Sequence, residues 1–321
     1  MNKTIAVLII LFNSFLMSCE NLVSLYSDKK LLEFNYSNLF VAGGSSGNIY
    51  YSKDGINWTS RTVGVANIEN LAYGNEKYII VDNNQIVYSS RDAKNWKQGN
   101  IYSFGVPRQM VYGNGVFVAV VNTLIWYSED GQSWSQITTP PCDAYGVTFG
   151  NGKFVAVGNA GKIIYSKDGK NWNSATGAAG NLRGVVYAKG KYVAVGNSGI
   201  VYYSADATTW NSTTGVTYNL YAVCFGSDKF IACGQNGIIH WSSDGITWST
   251  DVSPGISKTI NCVVYGDGKF VAVGQDSGAG DSMGFYSYDG ITWQQIPDLD
   301  NDSGFLFYII FRNPNIEMPT P

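Results

Sequence analysis

Seven aspartates recur in this sequence within one repeated segment, and carboxylates at a regular spacing could bind metal ions, contact a ligand or shape turns. Each aspartate lies in the pattern S-x-D-(G/A)-x-x-W, which we call a box. The seven box residues are Asp54, Asp92, Asp130, Asp168, Asp206, Asp244 and Asp289. Neighbouring aspartates are 38 residues apart five times and then 45 residues apart. A fixed period of this size indicates a repeat architecture.

A turn explains the residue types of the box better than a metal site or a catalytic site does. Aspartate and serine accept hydrogen bonds from backbone N–H groups just ahead of them, and glycine supplies a positive φ. Ala93 and Ala207 replace the glycine in two boxes, so we expect the turn there to be strained or slightly different. Seven equal copies suit a scaffold, whereas catalysis needs one distinct copy. We therefore predict structural boxes and no metal site; the alternative is seven ligand or metal sites.

The other reactive residues are sparse. His240 is the only histidine, and we expect it to be an ordinary strand residue, because a ligand set or a proton relay would need a partner. The cysteines after residue 100 are Cys142, Cys224, Cys233 and Cys262. Their spacing fits no zinc motif, so we interpret them as buried thiols, with a disulfide as the alternative in an exported protein. We predict no cofactor and assign no catalytic residue.

Composition limits the class of protein. The 321 residues include 14% aromatic and only 14% charged residues, together with 37 glycines, which is typical of an all-β chain with many turns. The formal net charge is −3, and no basic run occurs. Nucleic acid is therefore not an expected partner, because its binding depends on clustered positive charge.

The repeat predicts an all-β fold, a seven-bladed β-propeller with four antiparallel strands per blade. In the fifth repeat, residues 182–187, 192–196 and 200–204 have strand patterns, the box forms the next turn, and Trp210 opens a fourth strand. A blade buries its faces only against its neighbours, so the array must close or be capped. Residues 304–313 look like one more first strand. We predict that this C-terminal strand pairs with residues 39–43 and closes the ring.

The N-terminus is a separate unit. Residues 1–18 combine a short positive start with an apolar stretch too short for a comfortable membrane span, and we predict a signal peptide. Residues 16–19 resemble the bacterial lipobox, which implies lipidation of Cys19; ordinary signal cleavage is the alternative. We assign 19–30 to a lipidated tether, 31–313 to the propeller and 314–321 to a C-terminal tail. The resemblance implies an exported, lipid-anchored protein of the bacterial cell envelope, and Glu20 favours the outer membrane or cell surface in a Gram-negative cell.

The repeats themselves also resemble a known group. The boxes look like the Asp-box, or BNR repeat, of sialidase-type blades, and residues 153–158 followed by 163–169 are similar to repeats of the WD/YVTN/BNR-like superfamily. That superfamily includes photosystem assembly-factor-like propellers and many bacterial lipoproteins. Sialidases of this fold use an arginine triad whose first member lies in an Arg-Ile-Pro motif, and this chain has no such motif. The resemblance therefore implies the fold and leaves the activity open.

Variation along the repeats predicts where a ligand binds. The boxes share one face with the first-to-second turns, while the second-to-third turns and the blade-to-blade links lie on the other face. The variable polar and aromatic positions of that second face are Arg108, Tyr145, Asn159, Arg183, Asn197, Gln235, Gln275 and Asp276, the last of which begins the only large insertion. Amides are also good turn residues, which is the alternative explanation for four of them.

Two functions remain open at this point. The leading hypothesis is a membrane-anchored, monomeric and non-catalytic module that binds or scaffolds a protein or glycan. The alternative is a glycan-active hydrolase with an unfamiliar site, since carboxylate spacing is set in three dimensions.

Overall fold

The computed structural model describes residues 38–101, 105–137, 142–213, 216–255, 258–275, 282–299 and 306–312. The predicted signal peptide, the tether with Cys19, Asp276 and the C-terminal tail lie outside these residues.

The described residues form a succession of short antiparallel strands. Blade 1 contains β1 Leu39–Gly44, β2 Asn48–Ser52 and β3 Thr59–Thr62. Blade 2 contains β4 Ile68–Gly74, β5 Lys77–Asp82, β6 Ile86–Ser90 and β7 Lys97–Ile101. Blade 3 contains β8 Gln109–Gly113, β9 Val116–Val121, β10 Leu124–Ser128 and β11 Ser135–Ile137. Blades 4 and 5 contain β12 Ala144–Gly150, β13 Lys153–Gly158, β14 Ile163–Ser166 and β15 Asn173–Ser174; and β16 Leu182–Ala188, β17 Lys191–Gly196, β18 Val201–Ser204 and β19 Asn211–Ser212. Blades 6 and 7 contain β20 Leu220–Gly226, β21 Lys229–Gly234 and β22 Ile239–Ser242; and β23 Thr259–Gly266, β24 Lys269–Gln275, β25 Ser282–Ser287 and β26 Gln294–Gln295, before the last strand, β27 Leu306–Arg312.

Helical structure in the described residues is limited to short 3-10 segments. They are Ser45–Gly47, Asn159–Gly161, Asn197–Gly199, Gln235–Gly237 and Pro297–Leu299. Within the described ranges there is no helix with the length and apolar character needed to cross a membrane.

The last strand closes the ring, as the sequence predicts. Strand β27 pairs antiparallel with β1, and Leu39 is registered with Arg312, Val41 with Ile310. The sheet of blade 1 therefore runs β27-β1-β2-β3, with its innermost strand supplied by the C-terminal part of the chain. Each innermost strand contacts the innermost strands of the two neighbouring blades, and β27 contacts both β23 and β4. The seven-bladed all-β propeller is confirmed.

The outer edge of the sixth blade is the least regular part of the described ring. Its sheet has three assigned strands, whereas the other six sheets have four. The segment after Trp248 still occupies the outer position, because the backbone N–H groups of Ser249 and Val252 donate to the carbonyls of Trp241 and Ile239 at 2.8 and 2.9 Å. This segment thus hydrogen-bonds to β22 as a fourth strand would, but its backbone does not form a regular strand.

The core lies between blades rather than within one. All six residues of β9 are buried, because the second strand of each blade has a neighbouring blade against each face. An aromatic contact packs six of the seven box tryptophans against this core. In blade 4 the ring centroids of Phe149 and Phe154 are 4.7 Å apart, and those of Phe154 and Trp172 are 6.4 Å apart. Gly150 must be small, because a Cβ there would lie 2.3 Å from Cβ of Tyr187 in the next blade.

The two faces of the ring differ in the turns they carry. The box face carries the boxes and the first-to-second turns, and lysines from one blade clamp the box of the next: Lys153 and Lys191 donate from Nζ to the backbone carbonyls of Asp206 and Asp244 at 2.8 and 2.9 Å. The link face carries the second-to-third turns and the blade-to-blade links. Each candidate site residue among the described residues lies on one of these two faces.

Candidate ligand-binding rim

The box is a closed hydrogen-bonded turn. Oδ1 of Asp168 accepts from Oγ of Ser166 at 2.9 Å and from the backbone N–H groups of Lys170 and Asn171 at 2.8 and 2.7 Å. The N–H of Gly169, at φ +72°, donates to Oγ of Ser166, and the indole of Trp172 donates to the Gly169 carbonyl at 3.0 Å. Nearly every polar group of the turn is therefore engaged inside it.

The hydrogen bonds to the aspartate recur in the other boxes, whereas the indole N–H groups of Trp248 and Trp293 have no hydrogen-bond partner among the described residues. Ala93 and Ala207 adopt φ values of 56° and 70°, so both keep the left-handed conformation that glycine has elsewhere. Burial opposes ionisation of most box carboxyls, but hydrogen bonds from the turn outweigh it and lower the pKa in all seven boxes, to about 2 in Asp130. These carboxylates are ionised and already occupied by their own turns.

A β-bulge at the link-face end of the innermost strands builds a different kind of site. In six blades the register with the second strand shifts by one residue there, which leaves one residue unpaired. Arg108 occupies the corresponding place in blade 3, where its N–H donates to the Val120 carbonyl and Gln109 is registered with Val120. Bulges redirect side chains. We call these residues the rim: Phe307, Glu69, Arg108, Tyr145, Arg183, Tyr221 and Asn261, from blades 1 to 7 in order.

Three predicted site residues form one stack in the rim. The guanidinium carbons of Arg108 and Arg183 each lie 3.8 Å from the ring centroid of Tyr145. Two guanidinium groups cannot share one side of a ring at that distance, so the tyrosine lies between them. Cation–π attraction of this kind is worth up to about 2 kcal/mol when the groups are desolvated.

On one side of the stack, a carboxylate and an amide group bind the guanidinium group of Arg108. Nη1 of Arg108 forms an ion pair with Oδ1 of Asp143 at 2.7 Å, and Nη2 donates to Oδ1 of Asn122 at 2.9 Å. Oδ2 of Asp143 accepts from Nδ2 of Asn159 at 2.5 Å. Arg108 is therefore committed within the protein.

Arg183 on the other side keeps its charge uncompensated. Its Nε donates to Oδ1 of Asn197 at 2.9 Å, and within the described part of the chain it forms no ion pair with a carboxylate. Burial opposes ionisation of Tyr145, but hydrogen bonding from Arg183 and Asn159 and the charges of both arginines outweigh it and lower the pKa of the phenol. The stack thus carries net positive charge and can bind a carboxylate or phosphate through the free edge of Arg183.

The remaining predicted residues lie farther round the link face. Oε1 of Gln235 accepts from Nδ2 of Asn219 at 2.8 Å, in the turn of blade 6 that corresponds to Asn159 and Asn197. Gln275 ends strand β24 and is registered with Thr259 and Ser282. The structure therefore groups Arg108, Tyr145, Arg183, Asn159 and Asn197, while Gln235 and Gln275 stay apart and Asp276 is outside the described residues.

The residues after two rim positions, Asn70 and Gln109, join blades to one another, and sequence reasoning missed these contacts. Asn70 is fully buried and fixes the next blade, donating to the Arg108 carbonyl at 2.9 Å and accepting from the Met110 N–H at 3.0 Å. Nε2 of Gln109 donates to the hydroxyl of Tyr308 at 2.8 Å, and so joins blade 3 to blade 1 across the channel. A polar residue following the rim residue was the available signal.

Thiols and the single imidazole are part of the packed structure. Cys142, Cys224, Cys233 and Cys262 are free and buried, and burial raises the pKa of each thiol, to about 12 for Cys142. Nδ1 of His240 is 2.9 Å from the Ser249 carbonyl. Among the described residues no group of three or more potential metal ligands comes together.

Among the described residues of the box face, Glu129, Asp168 and Lys170 line part of an open cavity of about 400 Å³. Glu129 forms an ion pair with Lys170 at 2.6 Å, and Asp168 is held by its own box. Both carboxylates in this cavity are therefore engaged by other groups. A glycan hydrolase of the paired-carboxylate kind would need two carboxyl groups aimed at one bond.

No protein-family model and no curated protein matches the chain. Solved structures do share the fold. A YCF48 chain bound to a D1 peptide has 24% identity and a TM-score of 0.62, over 78% of this chain and 86% of that one. YCF48 from Cyanidioschyzon merolae has 15% identity and a TM-score of 0.56, over 80% and 91%. The WD40 propeller domain of Doa1 has 12% identity and a TM-score of 0.57, over 72% and 84%. At these identities the likeness extends to the propeller fold alone.

Proposed function

We propose that this chain is a non-catalytic binding module that holds a segment of another protein on its link face. The observation that carries the proposal is the stack of Arg108, Tyr145 and Arg183, in which Asp143 neutralises one guanidinium and leaves the other available. An anionic group of the bound segment, either an acidic side chain or a terminal carboxylate, pairs with Arg183.

The same geometry favours a protein segment over a glycan. Sugar-binding sites commonly offer a free aromatic face, but both faces of Tyr145 are covered by arginines. The tyrosine positions the two cations and is not itself a stacking platform. A propeller of similar fold, YCF48, has been solved with a bound peptide, which is a precedent for peptide binding by this architecture.

The proposal also includes the location of the protein. The apolar segment before residue 16 and the Leu-Met-Ser-Cys sequence at 16–19 support export and lipid anchoring through Cys19 in a bacterial envelope. A tethered monomer with its link face free could scaffold partners close to the membrane.

Capture from an envelope extract of the source cell tests the proposal. We would immobilise the full chain, the Arg183→Gln variant and the matched Arg91→Gln variant, since Arg91 is an exposed arginine on the box face. We expect the wild type and Arg91→Gln to retain the same proteins and Arg183→Gln to lose them. Protease treatment of the extract should abolish capture, and periodate oxidation of glycans should not. Loss through Arg91→Gln alone, or sensitivity to periodate alone, would contradict the proposal.

A further inference from the structure

The rim is chemically asymmetric although its backbone is repeated. The seven rim positions hold two arginines, two tyrosines, one phenylalanine, one asparagine and a single carboxylate, Glu69 in blade 2. The two cations are gathered in blades 3 and 5 around Tyr145. Glu69 therefore introduces the opposite charge at one defined place in the ring.

Glu69 has no compensating partner among the described residues. It forms no hydrogen bond or ion pair there, although it is half-buried, and burial raises the pKa of its carboxyl. Its neighbour in the rim, Arg108, is already committed to Asp143 and Asn122. A partly desolvated carboxylate without a partner costs free energy, whereas four other blades place neutral residues at the same position.

The backbone holds Glu69 firmly at this place. The next residue, Asn70, is fully buried and makes two hydrogen bonds to the backbone of blade 3 at 2.9 and 3.0 Å. The preceding residue, Ile68, is fully buried and registered with Asp82. The carboxylate is thus presented by a fixed strand, which is the condition for a specific contact.

The two charged residues lie in blades on opposite sides of the ring. Glu69 belongs to blade 2 and Arg183 to blade 5, and three steps is the largest separation that a ring of seven blades allows. A ligand over the channel mouth could therefore meet both charges at once, at opposite ends.

We infer that Glu69 is a second subsite that binds a cationic group, so that the ligand of this rim is a dipolar peptide segment. This inference rests on the proposed function, because it adds a lysine, arginine or free amine of the same segment to the anionic group held by Arg183. The segment lies across the channel mouth, with its positive end at blade 2.

Selection from randomised octapeptides with acetylated and amidated ends tests the inference, because only side chains then carry charge. The full chain should enrich peptides that combine an acidic and a basic residue at a preferred separation. Glu69→Gln should lose the basic preference and keep the acidic one, and should bind the best dipolar peptide about tenfold more weakly. Glu69→Lys should replace the basic preference by a second acidic one. Glu76→Gln, which changes an exposed glutamate on the box face, should behave as wild type.

The outcomes distinguish the second subsite at Glu69 from the proposed function. Enrichment of acidic peptides without a basic residue, or a basic preference that survives Glu69→Gln and Glu69→Lys, would overturn the second subsite and leave the proposed function standing. Failure of the wild type to enrich any peptide, both from this library and from a second library with free carboxyl ends, would overturn both. Thermal unfolding of each variant identifies any loss of binding that follows from loss of the fold.

Discussion

Removal of strand β27 should open the ring. Leu306 and Ile309 are fully buried, and truncation of such a side chain costs about 2–5 kcal/mol, so the two together contribute about 4–10 kcal/mol. Their loss also exposes the paired edge of β1, where Phe40, Val41 and Ala42 are fully buried. Typical domains have about 5–15 kcal/mol of total stability. A chain that ends at residue 305 should therefore lose cooperative unfolding.

Urea unfolding followed by tryptophan fluorescence, together with size-exclusion chromatography, measures this effect. The control is a chain that ends at residue 312, which keeps β27 and should unfold at the wild-type midpoint. Ile309→Ala supplies an intermediate case and should cost about 3 kcal/mol. If the chain ending at 305 were monomeric and unfolded at the wild-type midpoint, ring closure by β27 would contribute nothing and the energetic reasoning would be wrong.

Four further predictions concern single residues. Trp172→Ala should destabilise the protein by about 3 kcal/mol in urea unfolding, because it leaves a cavity. Asp168→Ala should cost about 1 kcal/mol, because it leaves N–H groups of the turn without a hydrogen bond. Loss of binding without loss of stability in either variant would argue against a structural role of the box. Because the pKa of the box carboxyls is lowered, the stability they contribute is complete above about pH 4 and is lost as the pH falls toward 2. The midpoint of urea unfolding should therefore drop over that pH interval. In Asp168→Asn, which lacks one of these carboxyls, the drop should be less steep. The raised pKa of Glu69 has the opposite sign: Glu69→Gln should unfold at a higher temperature than wild type at pH 7, and the difference should vanish below about pH 4. Cys19→Ser should move the protein from the membrane fraction to the soluble fraction, and continued sedimentation with membranes would count against lipidation.

Much of the fold follows from the sequence because the box is a local structure. The Ser, Asp and Gly of one box satisfy each other within a few residues, so their period reports the number of blades without any knowledge of tertiary contacts. Ring closure was predictable for a related reason: a strand pattern after the seventh box has no blade of its own to join, and β1 lacks an inner neighbour until β27 pairs with it.

The rim could be predicted only in part. The residue types of Arg108, Tyr145 and Arg183 singled them out, but their stacking depends on a one-residue bulge that no residue type in the strand announces. Because the blade-to-blade links differ in length, the sequence spacing between rim residues also differs from the regular spacing between boxes. Asp143, which decides the charge of the stack, lies in such a link next to Cys142, where a lone acidic residue has no local pattern to distinguish it.

The bulge explains how an evenly repeated scaffold can carry one asymmetric site. In the regular part of a propeller strand, alternate side chains are buried between blades, so substitution there changes packing. The bulge residue is released from that pairing, as the register shifts at Gly146, Gly184 and Ala222 show, and its side chain lies half-buried at the rim. Tyrosine, arginine and asparagine therefore occupy the same backbone position in neighbouring blades. Because the boxes secure the fold on the opposite face, the rim residues can differ from blade to blade, and in the proposed function these side chains select the bound segment.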